Sequence, residues 1–220
     1  MTRIVLASTS PRRRELLSRA GVRFAVVEPP DPELPIPSSI CTDLAVQLVA
    51  RGKALSVADT QPAGTFVLAA DTIVVGPSGP MGKPTSGAHA REMLLQHSGG
   101  RHQVLTGICA IAAGTMTEAM GVARSTVRFR EIPAADLDAY VASGEPLDRA
   151  GAYAIQGGAG DWIEGVQGRV DTVVGLDVAL ALRLLVEAGY PMPLPTAADV
   201  SLQPRQQRRP LSPMRTASRV

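Results

Sequence analysis

Short apolar runs and helical patterns take turns along most of this chain, and that alternation restricts it to an α/β architecture. Arg3-Ile4-Val5-Leu6-Ala7 reads as a buried strand that meets Ser8-Thr9-Ser10-Pro11 and then a helix to Ala20. Ser10 suits the N-cap, Pro11 the first helical position and Gly21 the close of the helix. A proline-rich loop spans residues 28–37. Thr65 to Ala70 reads as a second buried strand, running into Asp71-Thr72 and then Ile73-Val74-Val75. Residues 42–58, 88–97, 133–143 and 173–188 carry helical patterns, and 76–87 reads as a loop. Residues 101–111 and 119–129 read as two strands joined around Gly114, a hairpin that argues for a mixed rather than a purely parallel sheet. No internal repeat is visible.

With 45% hydrophobic and 19% charged residues, the chain is globular rather than disordered. Aromatics make up only 3%, so Val, Leu, Ile and Ala must build the core. Cys41 and Cys109 stand in apolar stretches without Cys-x-x-Cys spacing and read as buried free thiols, which fits a reducing compartment. The first apolar run is too short for a signal peptide, and none approaches the ~20 residues that span a bilayer. The expectation is a cytoplasmic protein without a membrane segment. Residues 201–220 hold five arginines and no acid, and without them the formal charge falls from +2 to −3. A mildly acidic body argues against a domain built to grip nucleic acid. Residues 191–220 read as a Pro/Arg-rich disordered tail, either a solvated extension or a weak contact for an acidic partner.

Among the 22 basic residues only Lys53 and Lys83 are lysine. Where Arg serves nearly everywhere else, a retained Lys points to a need for a compact ammonium, as near phosphate or a reacting centre. The strand–turn–helix at residues 3–20 is a candidate anion site. A helix N-terminus offers unpaired N–H groups, Ser8, Thr9 and Ser10 add hydroxyls, and Arg12, Arg13 and Arg14 add cationic forks. Three arginines in a first turn oppose the helix dipole, so either an anion offsets them or they form a solvated basic turn. Asp71, at the end of an apolar strand, could hold a divalent metal or act as general base, or it could simply form a turn. Gly82-Lys83-Pro84 is not a P-loop, because five residues rather than four separate Gly76 from Gly82 and Pro84 replaces Ser/Thr. Lys83 can still meet a phosphate there. His89, His97 and His102 lack ligand spacing and read as surface or helix-end residues, and Trp162 reads as packing rather than a base-stacking platform.

Taken together, these segments resemble the Maf family of nucleotide pyrophosphatases. Leu6-Ala7-Ser8-Thr9-Ser10-Pro11-Arg12-Arg13 with Glu15-Leu16-Leu17 is similar to that family's opening motif, Ala70-Asp71-Thr72 to its second and Gly82-Lys83-Pro84 to its third. Ser98-Gly99 through His102, Val104, Thr106 and Gly107 follow, and Ser143 to Gly157 forms the last large block. The resemblance runs over about residues 3–189 in order, giving a domain at 1–190 followed by the tail. It implies a mixed, elongated sheet flanked by helices, with two lobes around a cleft as in inosine triphosphate pyrophosphatases, often as a homodimer. It further implies Asp71 as the catalytic carboxylate and Glu33 as its helper with a divalent metal, Mg²⁺ or Mn²⁺. Ser8, Ser10, Arg12, Arg13, Lys53 and Lys83 would hold the phosphates.

Arg12, Thr72 and Gln156 resemble the branch acting on dTTP and UTP; the branch acting on 7-methyl-GTP carries Trp, Gln and Glu there. A Gln can donate to a pyrimidine carbonyl, whereas a Glu only accepts. Four positions depart from the pattern. Pro32 stands where an acid precedes Glu33, Arg149 replaces the usual Lys after Asp148, and Thr172 and Asp177 replace Asn and Pro. The implied reaction is metal-assisted attack of water on the α-phosphorus of a nucleoside triphosphate, releasing the monophosphate and pyrophosphate. Two alternatives stand beside it: a pyrophosphatase of broad nucleotide specificity, and a non-enzymatic nucleotide sensor that regulates cell division.

Overall fold

The computed structural model describes residues 3–30 and 40–191; Pro32, Glu33 and everything beyond residue 191 lie outside them. The chain forms β1 (Arg3–Ala7), α1 (Pro11–Arg19), β2 (Phe24–Val27), α2 (Thr42–Ala58), β3 (Thr65–Gly76), β4 (Gly79–Met81) and α3 (Gly87–His97). There follow β5 (Arg101–Ala112), β6 (Thr117–Phe129), α4 (Ala134–Ala142), β7 (Ile163–Gln167), α5 (Val170–Val174) and α6 (Val178–Glu187). Three short 3₁₀ turns lie between α4 and β7.

The strands make one seven-stranded sheet in the order β2-β1-β3-β5-β6-β7, with β4 added beside β3. β1 pairs in parallel with β2 and β3, and every other pairing is antiparallel. The expected mixed sheet flanked by helices is what forms, including the hairpin of β5 and β6. The expected N-cap is also present, the Ser10 hydroxyl accepting from the Arg13 N–H with Pro11 opening α1.

Both faces of the inner strands are covered, so their apolar runs are continuous rather than alternating. Side chains still alternate between faces. Ile4, Leu6, Phe66, Leu68 and Ala70 pack with Leu16 and Leu17 of α1 and Leu184 and Leu185 of α6. Val5, Ala7, Val67 and Ala69 meet Ala50, Ala54 and Val57 of α2. A separate core lies toward the other end of the sheet, where Val74, Met81, Leu94, Val104, Val127 and Leu137 pack with Phe129, Tyr140, Tyr153 and Trp162. Four of the chain's seven aromatic residues are gathered there. The expectation of a core built mainly from Val, Leu, Ile and Ala holds in both lobes, with the buried aromatics concentrated in the second.

β3 ties the lobes together. Its Thr65–Leu68 portion pairs with β1 and its Val74–Gly76 portion with β4 on the same edge, while β5 follows the opposite edge from Phe66 to Val75. Between the two partners, Ala69–Ile73 faces no strand on that edge among the described residues. The cleft opens at this gap, and Asp71 and Thr72 stand in it. β3 is a single strand through both residues, so Asp71 is not a turn former.

Some expectations are corrected. The expected helix at 173–188 is broken, because Gly175 adopts φ 127° and Asp177 starts α6 by accepting from the Leu180 N–H at 2.9 Å. His97 does end α3 but is fully buried, and His102, on β5, is also buried rather than on the surface. Cys41 is exposed; Cys109 is buried and free, and burial pushes its thiol up to about 12. The expected loop at 76–87 contains β4. Trp162 packs edge-on against Tyr140, as expected of a core residue.

Candidate active site

The first wall of the cleft is the turn from β1 into α1. Ser8 is only 3% exposed and lies behind the lining, where its Oγ accepts from the Ser10 N–H at 3.1 Å and from Arg13 Nη1 at 3.4 Å. Thr9, Ser10, Arg12 and Arg13 line the cleft itself. No acid stands in the first turn of α1, so the three arginines add their charge to the positive end of the helix.

Arg13 is fixed from several sides. Its Nε donates to the Gly175 carbonyl at 2.8 Å and its Nη2 to Thr72 Oγ1 at 3.4 Å. Thr106 Oγ1 donates to the Thr172 carbonyl at 2.8 Å and lies 2.9 Å from Thr72 Oγ1. Since the Thr106 proton is spent on that carbonyl, Thr72 must be the donor to Thr106. The relay therefore runs from Arg13 through Thr72 and Thr106 to the Thr172 carbonyl of α5. Across the break between α5 and α6, Thr172 Oγ1 donates to Asp177 Oδ2 at 2.9 Å. Nearby, buried Asp171 accepts three bonds from Arg169, with Arg169 Nη2 at 2.6 Å, and one each from the Thr172 and Val178 N–H groups. The sequence offered no sign that the Gly175 carbonyl, 162 residues further on, would anchor Arg13.

Asp71 receives Lys53 Nζ at 2.7 Å on Oδ1, both side chains being less than one-fifth exposed. The register explains how α2 comes close enough. Asp71 stands opposite Gly107 of β5, and a Cβ on Gly107 would collide with the Val46 carbonyl of α2. With no side chain there, α2 lies directly on the sheet and Lys53, two turns after Val46, reaches the carboxylate.

The far wall comes from the Gly82-Lys83 loop and residues 148–156. Lys83 Nζ donates to Asp148 Oδ1 at 2.6 Å, and Arg149 Nη1 lies 3.6 Å from Asp148 Oδ2. The Lys83 hydrogen bond foremost, aided by the charges of Lys83, Arg149 and Arg12, holds the Asp148 carboxyl below its usual range. Burial and then the like charge of Arg149 lower the Arg12 pKa, against the opposing pull of Asp148. Gln156 lines the cleft beside Ile155 and Tyr153, whose hydroxyl lies 2.8 Å from His102 Nε2.

The cleft encloses about 820 Å³, within the range of small-molecule sites. Among the described residues its lining carries five cations (Arg12, Arg13, Lys53, Lys83 and Arg149) against two carboxylates, Asp71 and Asp148. That surplus suits a polyanion. Val74, Met81, Val104, Tyr153, Ile155 and Val173 supply an apolar portion. The structure thus brings together Asp71, Ser10, Arg12, Arg13, Lys53, Thr72, Lys83 and Gln156, with Ser8 just behind; Glu33 falls outside the described residues. Thr106, Asp148 and Tyr153 were not singled out from sequence. Asp148 did carry a signal, as the acid that immediately precedes a departing residue within the last motif block.

Among the described residues no three His, Cys, Asp or Glu side chains form a cluster that could hold a metal. Hard divalent ions such as Mg²⁺ are commonly held by one or two carboxylates together with substrate phosphates. Asp71, in a cleft with cationic phosphate partners, fits that mode.

The family model for Maf-like proteins matches residues 3–188. A dTTP/UTP pyrophosphatase of Anaeromyxobacter dehalogenans strain 2CP-C is 45% identical over 195 residues, covering 87% of this chain and 96% of the relative. One of Myxococcus xanthus strain DK1622 is 43% identical over 192 residues, covering 87% and 95% respectively. A solved HAM1 protein from Coxiella burnetii covers 72% of this chain and 90% of its own at 16% identity, with a TM-score of 0.41, a likeness too loose to bear on the site.

Proposed function

The chain belongs to the Maf family, and on that premise we propose that it is a nucleoside triphosphate pyrophosphatase acting on dTTP and UTP. The observation that carries this reading is one carboxylate, Asp71, held by Lys53 at 2.7 Å inside a cleft whose other charged residues are mostly cations. A negatively charged base beside a polyphosphate cradle is what hydrolysis at an inner phosphorus requires. The relatives named above, which cover nearly their whole length, are dTTP/UTP pyrophosphatases and support the substrate class.

In the proposed mechanism, water attacks the α-phosphorus as the bond to the bridging oxygen of the β-phosphate breaks. Asp71 orients that water and takes its proton, and Lys53 fixes the direction of the carboxylate. Arg13, locked to Gly175 and Thr72, and Lys83, on the opposite wall, offset the charge that builds on the departing pyrophosphate. Fixed cations aimed at the place where charge develops act most strongly on the transition state. A divalent ion, Mg²⁺ or Mn²⁺, would be held by Asp71 with substrate oxygens, joined by Glu33 on the family pattern, and would supply Lewis-acid polarisation of the phosphate. Gln156 stands in reach of the apolar portion, where its amide would meet the pyrimidine edge.

A homodimer and a cytoplasmic location complete the proposal. No helix among the described residues is long and apolar enough to cross a membrane. Light scattering at micromolar concentration tests the dimer.

The deciding experiment is pyrophosphate release with Mg²⁺ or Mn²⁺ across dTTP, UTP, CTP, GTP, ATP and 7-methyl-GTP. Turnover confined to dTTP and UTP is expected. Equal turnover across the panel would keep the reaction and discard the pyrimidine preference. Tight nucleotide binding by folded protein without any turnover would point instead to a sensor.

A further inference from the structure

Lys83 Nζ and Asp148 Oδ1 meet at 2.6 Å within the far wall of the cleft, yet both side chains are well exposed, at 64% and 75%. Their separation is set by backbone. The Gly151 N–H donates to the Gly82 carbonyl at 3.0 Å, the Arg149 N–H to the Pro146 carbonyl at 3.1 Å, and the Ala152 N–H to the Arg149 carbonyl at 3.0 Å. Lys83 and Asp148 therefore meet because two braced loops present them to each other. An ion pair this exposed contributes less than about fivefold to an equilibrium, so the braced geometry does not make it hard to open.

The surroundings of the pair are unbalanced. Arg149 stands beside the second oxygen of Asp148, and its Nε is buried without a hydrogen-bond partner among the described residues. Arg12 lines the same part of the cleft. One carboxylate thus serves three cations and leaves a buried guanidinium donor unanswered. A group with two or more negative charges and several acceptor oxygens would answer all of them; a single carboxylate cannot.

We propose that Asp148 is an internal stand-in for the leaving pyrophosphate, holding Lys83 in the empty cleft and surrendering it, with Arg149 and Arg12, to the terminal phosphates of the substrate. The inference rests on the pyrophosphatase reading for the identity of the polyanion. It assigns Asp148 a role in release. Once the bond is cut, the Asp148 carboxylate competes with pyrophosphate for Lys83 and repels it, so the product departs faster. Asp148 is then a positioning residue that acts through Lys83. It touches neither the water nor the α-phosphorus. Arg149, in place of the family's usual Lys, adds a fork that can take two phosphate oxygens at once where an ammonium acts as a point charge.

The test is calorimetric binding of inorganic pyrophosphate alone to the full chain, for wild type, Asp148→Asn, Lys83→Met and the double variant. Asp148→Asn is expected to bind pyrophosphate up to about fivefold more tightly and, in turnover, to show correspondingly stronger product inhibition. In the Lys83→Met background the same change is expected to gain less than about twofold, because the contested cation is gone. Equal or weaker binding by Asp148→Asn would overturn the proposal and leave Asp148 a brace for Lys83. A gain undiminished in Lys83→Met would overturn it too, since mere loss of a negative charge would explain it. Melting curves confirm folding, and Asp148→Ser repeats the test should the Asn variant not fold. The outcome separates from that of the parent reading: pyrophosphate binding is scored without turnover, and nucleotide turnover is scored without Asp148.

Discussion

Asp71 and Lys53 are joined by one short contact in which the aspartate supplies both an acceptor oxygen and a negative charge. Asp71→Asn separates those two properties. The Asn oxygen still accepts from Lys53 Nζ, so β3 and α2 should stay in register and the melting temperature should change by only a few degrees. The charge that receives a proton from water is lost, and a general base contributes about 10²–10⁴-fold. A fall of at least about 10²-fold in kcat is expected in the pyrophosphate-release assay, with near-normal turnover refuting the assignment of Asp71. At this scale the sequence was informative for a chemical reason. In a chain of 20 arginines, the only two lysines proved to be the partners of the two cleft carboxylates. Those carboxylates were harder to read. Asp71 ended an apolar run and could be suspected, whereas Asp148 was marked only by its place before Arg149 in the last motif block, and its partner showed only when the fold set it beside Lys83.

Elements are positioned here by what is missing as much as by what is present. Gly107 lies opposite Asp71 in the sheet and directly under the Val46 carbonyl of α2. Gly107→Ala sets a methyl against backbone, which no rotamer change relieves, so α2 must lift. Overpacking of this kind costs about 1–3 kcal/mol, or a melting shift of about 3–10 °C for a domain of this size. Because α2 carries Lys53, activity should fall more than stability alone explains, even at temperatures where the variant is fully folded. A variant that melts as the wild type does and keeps full turnover would show that α2 need not approach so closely. Strongly patterned elements such as β1, α1, α2 and the β5–β6 hairpin were legible because local propensity and burial agree in them. β2 and β7 were not, being four- and five-residue edge strands with few buried positions. The break between α5 and α6 was hidden for another reason. Apolar periodicity continues across it, and it is the Gly175 backbone, with the Thr172–Asp177 bond, that interrupts the helix.

The whole molecule joins two cores of different character along one long strand. The first is mostly aliphatic, while the second gathers four aromatic rings and encloses His97 and His102, whose ring centroids are 4.1 Å apart. His97 Nε2 contacts the Gly151 carbonyl at 3.0 Å and His102 Nε2 contacts the Tyr153 hydroxyl at 2.8 Å, so the pair supports the far wall of the cleft from beneath. Burial lowers His97 to about 4, the Gly151 carbonyl partly opposing it. Burial first, then the charge of His97, lowers His102 to about 3. Unfolded, both would titrate near 6.5. Below that pH the unfolded chain binds protons that the folded chain refuses, so stability is complete above about pH 6.5 and declines as the pH falls toward 4. With two such groups the slope approaches roughly 3 kcal/mol per pH unit. Carboxylates add their own acid sensitivity lower down, which leaves pH 5 to 6.5 as the diagnostic window. Denaturant unfolding across that window should show stability rising with pH in the wild type. In His97→Gln/His102→Gln, whose amides can retain the Nε2 contacts, the curve should be nearly flat though lower overall. An equal slope in both proteins would assign the acid sensitivity to other groups. A flattened slope with cleft activity preserved at pH 8 would place the weak point of the fold in the second lobe, beneath the wall that carries Asp148, Arg149 and Tyr153.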